Sequence, residues 1–198
     1  MKPARLLKFR QRHPRRNLPA ALARKRGESN FVSAFSNAYI SSIAPDGIGG
    51  KEFALSGFGI ADFVWIAWRN AINPDEGSAL SIEKLKTLLN QHKLTAFEMK
   101  LSDWRKGLAQ AYRYTYFADR SILVVPTAVV PLAKKEMPLF RELGVGLWSL
   151  DIKSNTITRH FTPPASVPKN ERVRSRAVAL LSRRIYFGER RKLCQTRV

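Results

Sequence analysis

Three residues in the stretches "GIADFVW" and "AFEMKLSDW" have the types needed for one kind of chemistry: Asp62, Glu98 and Lys100. Two carboxylates on adjacent strands can hold a hard divalent cation through oxygen and leave positions open for water and a phosphate. A lysine beside that cation can orient or deprotonate the attacking water and neutralise charge building on phosphorus. Phosphodiester hydrolysis by such a trio needs neither histidine nor cysteine. The chain fits this: its one cysteine, Cys194, excludes an intramolecular disulfide, a Cys-ligated zinc and an iron-sulfur cluster. His13, His92 and His160 stand apart without ligand spacing and read as surface or structural residues.

Spacing alone does not single the trio out. With 15 acids and 14 lysines among 198 residues, an acid two positions before a lysine arises about once by chance. A decoy does occur at Asp151-Ile152-Lys153, where a hairpin strand meets its turn and a solvated pair is expected. Glu98 and Lys100 differ in their company. "LTAFEMK" alternates, so Leu94, Ala96, Glu98 and Lys100 share one face while Thr95, Phe97 and Met99 share the other. Asp62 lies upstream on a neighbouring strand, and a helix capped by Asp103 follows directly.

The elements that must position these residues follow from the same patterning. "ESNFVSAFSNAYI" places Glu28, Phe31, Val32, Phe35 and Tyr39 on one helical stripe, predicting a helix over 28–43 that "APDGIGG" ends. "KEFALSG" and "GIADFVWIAW" read as consecutive antiparallel strands joined through Gly57 and Gly59, with "RNAINPDEGS" a loop and 81–91 an inserted amphipathic helix. After the strand at 94–100 come the helix "WRKGLAQAYRYTYFA", the buried strand "SILVVP", a short helix around "AKKEMPLFREL", the hairpin "GVGLWSLD"/"TITRHF" and a last basic helix near 171–184. That order predicts an α/β sandwich around a mixed sheet. Trp65 and Trp68 are more simply explained by core packing than by base stacking.

Charge points to a polyanionic partner. The chain carries 35 basic and 15 acidic residues, a formal +20 with a pI near 10.8. Residues 1–27 hold 10 Lys/Arg and no acid, and residues 169–198 hold 10 Lys/Arg against 2 acids, so 28–168 is close to neutral. We read a basic N-terminal arm (1–27), one α/β domain (28–168) and a basic C-terminal helix and tail (169–198). DNA is the first partner this charge implies and structured RNA the alternative. No apolar run reaches transmembrane length, so no membrane partner is expected. The expected location is cytoplasmic, or organellar where the Arg-rich, acid-free arm serves as a transit peptide. The sequence leaves the oligomeric state open, a homodimer included.

Gly59-Ile60-Ala61-Asp62, then Glu98-Met99-Lys100, then Gln110-Ala111-Tyr112-Arg113-Tyr114 together resemble the PD-(D/E)XK nuclease superfamily. The third element is similar to the Gln-xxx-Tyr motif of its RecB-type branch. The resemblance covers roughly 28–126 and implies a restriction-endonuclease-like αβββαβ core, a central mixed sheet flanked by helices, with the basic ends as extensions. It implies a Mg²⁺- or Mn²⁺-dependent deoxyribonuclease. Asp62, Glu98 and the Met99 carbonyl would hold the metal, with Glu28 of the first helix as a further acid. Lys100 would be the catalytic lysine, and Gln110 and Tyr114 would position substrate or water. Ala61 stands where the family motif has its proline, and the 36 positions from Asp62 to Glu98 exceed a simple hairpin. A non-catalytic nucleic-acid-binding or assembly module that keeps the fold is the rival expectation.

Overall fold

The computed structural model describes residues 5–8, 19–44, 47–67 and 81–195, with side chains described over 27–44, 47–67 and 81–185. The expected loop 69–78, Trp68 and His13 lie outside the described residues. The sheet has seven strands whose spatial order is their chain order. They are β1 (Arg5–Lys8), β2 (Gly47–Leu55), β3 (Gly59–Ala67), β4 (Leu94–Met99), β5 (Arg120–Pro126), β6 (Val145–Asp151) and β7 (Thr156–Phe161). The short β1 adds to the edge in parallel with β2, and six longer strands form the body. Strands β2, β3 and β4 form an antiparallel meander; β5 lies parallel to β4 and β6 parallel to β5; β7 returns antiparallel.

Three parallel joins need crossovers, because a tight turn can only reverse a strand, and the helix at 19–42 lies in the first, between β1 and β2. Helix α3 (Trp104–Tyr114) carries the chain from β4 to β5. A single 3-10 turn with α4 (Val130–Lys134) and α5 (Met137–Leu143) carries it from β5 to β6. Helix α2 (Ile82–Asn90) is the insertion between β3 and β4, with Ser81 capping it by accepting from the Lys84 amide. Helices α2 to α5 lie on one side of the sheet, together with α6 (Glu171–Gln195); α1 (Pro19–Ser42) covers the other.

The pleat sorts side chains between these layers. Phe63, Trp65, Phe97, Met99 and Trp148 face α1 and meet its Phe31, Phe35 and Tyr39 in an aromatic cluster. Val64, Ile66, Leu94 and Ala96 face the other way, onto α2 and α6. Each large apolar side chain so buried contributes roughly 1.5–3 kcal/mol. The alternation expected for 94–100 is therefore observed, with Phe97 and Met99 on one face and Leu94 and Ala96 on the other.

Three differences from the sequence reading stand out. Helix α1 begins at Pro19, inside the acid-free arm, rather than at 28. Residues 5–8 form a strand where no element is expected. Helix α6 runs to Gln195, and its first half is core: Val173, Ala177, Val178, Leu181 and Ile185 pack on the sheet. Arg174 anchors this helix, pairing with Asp119 at 3.1 Å and donating to the carbonyls of Phe117 and His92. Asp119 in turn accepts from the Leu94 amide at 2.7 Å, so one buried ion pair ties α6 to the start of β4.

Candidate active site

Strands β3 and β4 are paired only as far as Phe63 opposite Phe97. Beyond that point Asp62 takes over the role of a backbone acceptor: its Oδ2 receives the Met99 N–H at 2.7 Å. The carboxylate is thus fixed where the two strands part. Glu98, one residue earlier on β4, points onto the α3 side and is 1% exposed. Lys100 has just left the strand and its Nζ lies 2.5 Å from Glu98 Oε1. Tyr114, at the end of α3, brings its Oη within 2.5 Å of Glu98 Oε2 and 2.6 Å of the Ile60 carbonyl.

A phenol has one proton, and here two oxygens compete for it. With Glu98 ionised, Tyr114 donates to the carboxylate rather than to the Ile60 carbonyl. With Glu98 protonated, Glu98 donates to Tyr114 and Tyr114 donates to Ile60. Both arrangements use the same heavy atoms, so the site accommodates either charge state without rearrangement.

The electrostatics favour the neutral form of at least one acid. Burial, then the neighbouring Glu98 charge, push the Asp62 carboxyl up from 3.8 to about 7, against the Met99 amide and Lys100. Burial likewise raises Glu98, opposed by Lys100 and by Tyr114. Burial alone would lower the Lys100 ammonium, but Glu98 and then Asp62 outweigh it and hold Lys100 firmly protonated. Tyr114 is driven far up by burial and by Glu98. Glu28, half-buried on α1, adds its negative charge to Asp62, Glu98 and Lys100 alike. Helix α1 comes close at this end of the sheet: a Cβ on Gly27 would sit 3.3 Å from Leu101 Cδ1.

The structure thus brings Asp62, Glu98, Lys100 and Tyr114 together, with Glu28 at the margin. Met99 contributes its backbone here, while its side chain lies in the α1 core. Gln110, one turn before Tyr114, has a buried Oε1 with no hydrogen-bond partner. The described residues contain no cluster of three or more Asp, Glu, His or Cys that could hold a metal. Asp62 and Glu98 nonetheless suit a hard cation as a pair. They are oxygen donors in one site, the Glu98 charge raising the Asp62 carboxyl, and a bound divalent ion would relieve that repulsion.

One residue of the site escapes motif reading. Gly107 on α3 lies against Lys100, and a Cβ there would come 2.6 Å from Leu123 Cδ1 and 2.7 Å from Lys100 Cγ. The bare helix backbone makes the slot through which the lysine stem runs toward Glu98. Asp103 caps α3 as expected, accepting from the Lys106 amide at 3.2 Å. The decoy behaves as a turn: Asp151 is exposed at the hairpin and accepts from the Lys153 amide at 2.9 Å. Trp65 is core, 1% exposed, and its indole N–H also lacks a partner. His92 bonds the Leu88 carbonyl and His160 bonds Ser149, both structural contacts.

Comparison with known proteins returns no family model that matches the chain and no curated protein that matches it. The functional reading therefore stands on the site.

Proposed function

We propose that the protein is a metal-dependent deoxyribonuclease with a restriction-endonuclease-like core. The observation that carries this reading is the convergence of Asp62, Glu98 and Lys100 where β3 and β4 separate. The helix, meander, crossover helix and parallel strand formed by α1, β2–β4, α3 and β5 support it, as that is the element order the motif resemblance implies.

In this reading Asp62 and Glu98 hold a divalent cation, with the Met99 carbonyl as a further donor and Glu28 adding negative charge at the edge. When bound, Mg²⁺ or Mn²⁺ supplies Lewis acidity at the phosphate and lowers the pKa of water. Lys100, kept protonated by the two acids, stabilises charge on the phosphate oxygens and orients the attacking water. Tyr114 fixes the Glu98 carboxylate and turns its O–H from Glu98 to the Ile60 carbonyl when Glu98 takes up a proton. Gln110, whose buried carbonyl oxygen has no partner, helps to position water or substrate. The formal +20 charge draws the DNA backbone to the surface.

Purified protein is to be assayed on linear, circular and branched DNA with Mg²⁺, alongside Lys100→Ala and Glu98→Ala. The expected loss is about 10²-fold or more for each variant. Cleavage that survives both substitutions would sink the assignment.

A second reading is favoured by one observation: both oxygens of Glu98 already have partners, Lys100 and Tyr114. A closed pair of that kind suits a DNA-binding or assembly module that has given up hydrolysis. Calorimetric titration with Mg²⁺ separates the two, since only the nuclease reading expects binding that Asp62→Asn removes.

A further inference from the structure

On the face of α3 turned away from the sheet lies an open cleft of about 610 Å³. Its walls are the β2–β3 turn, with Gly57 and Phe58, and Tyr112 and Arg113 of α3 with Tyr116 of the turn that follows it. Gly57 (φ +85°) and Gly59 (φ +91°) adopt a backbone that other residues rarely take, and this turn projects Phe58 toward α3. The Phe58 and Tyr116 rings lie 5.6 Å apart at a 41° tilt, neither fully buried, and Tyr116 meets Tyr112 edge-on at 6.3 Å. The Lys169 ammonium sits 4.1 Å over the Tyr112 ring. Arg113 is exposed on the same rim.

The wall is built rather than incidental. The amides of Lys169 and Asn170 donate to the carbonyls of Thr115 and Tyr116, closing the open end of α3 and holding Lys169 at the cleft. Tyr112 lies two residues before Tyr114, so it projects from the opposite face of α3, and Tyr116 lies two after it, in the turn that ends the helix. Phe58 stands two residues before Ile60, the carbonyl Tyr114 touches. Aromatic faces beside two cations form the combination that receives a nucleobase and its phosphate, and a base is free to enter only when it is unpaired.

Building on the nuclease reading, we propose that this cleft is a stacking site for an unpaired base of single-stranded DNA, making the preferred substrate a single strand or a frayed end. A paired duplex offers no base face to Tyr116 and Phe58, and gains only the phosphate contacts.

The test is fluorescence anisotropy of the full chain in EDTA, with labelled oligo-dT and a duplex of equal length, for wild type, Tyr116→Leu, Tyr116→Phe and Phe58→Leu. Leucine keeps apolar bulk without an aromatic face. Both leucine variants are expected to weaken single-strand binding about tenfold and duplex binding less than twofold, with Tyr116→Phe close to wild type. Unchanged binding, or equal weakening on both DNAs, overturns the inference. The two readings fail separately. Unchanged single-strand binding in the leucine variants, with cleavage lost in Lys100→Ala, removes the cleft alone. Selective single-strand loss, with cleavage surviving Lys100→Ala and Glu98→Ala, removes the nuclease alone.

Discussion

Asp62→Asn is expected to make the metal-free protein more stable while ending its response to metal. The Asp62 carboxyl is pushed up to about 7, first by burial and then by Glu98. A raised carboxyl means the folded state holds the proton more tightly than the unfolded chain. Its stabilising contribution is therefore complete below about pH 4 and is lost as pH climbs through 7. By pH 8 the ionised acid costs the fold at most ~4 kcal/mol. Asparagine cannot ionise, and its oxygen still accepts the Met99 N–H; exchanging a charged acceptor for a neutral one gives back about 1 kcal/mol. The net gain is about 1–3 kcal/mol at pH 8 and under ~1 kcal/mol at pH 5. For a chain of this length each kcal/mol moves Tm by about 2–4 °C. Thermal melts in EDTA at the two pH values measure the difference, and melts in Mg²⁺ should stabilise the wild type but not the variant. A variant no more stable than wild type at pH 8, or a gain that does not grow from pH 5 to pH 8, refutes the account of a repulsive acid pair.

Gly107→Ala improves helix propensity by about 1 kcal/mol, yet its Cβ would press on Leu123 and Lys100. We expect a net loss of about 1 kcal/mol in Tm measurements and a more than tenfold drop in specific cleavage, because Lys100 is displaced from Glu98. Arg174→Leu takes from the buried Asp119 its nearer cation and leaves it only the exposed Lys93 ammonium at 3.6 Å. Urea denaturation should register a loss of about 3–5 kcal/mol, with no change in metal affinity per folded molecule.

The site was legible in sequence where it follows strand parity and local capping. A half-buried strand flips every side chain by one face per residue, so "LTAFEMK" by itself puts Glu98 and Lys100 on the same side. Asp103 before Trp104 is a helix start readable from three residues. Helix α3 was harder. Trp104, Leu108, Ala111, Tyr112 and Thr115 make a stripe more apolar than that of Gln110 and Tyr114, and docking on the sheet buries Trp104, Leu108 and Ala111 of it together with Tyr114. Gly107 was not legible, since a glycine inside a helix reads as a weakness until the lysine crossing it is seen. The start of α1 at Pro19 was hidden because 19–27 is basic and lacks a continuous apolar stripe. The core role of α6 was masked by its arginines, one of which, Arg174, is buried.

Arg174 and the apolar row behind it set an order of events. Every residue of the acidic site precedes Pro126, but the sheet face beneath Val64, Leu94 and Ala96 stays open until 173–185 arrive to cover it. On a ribosome the site's residues would be made long before the helix that seals their scaffold. A nascent chain should carry the acids, the lysine and the tyrosine without a settled sheet to align them. Competence would then switch on late, once the carboxy-terminal helix has docked.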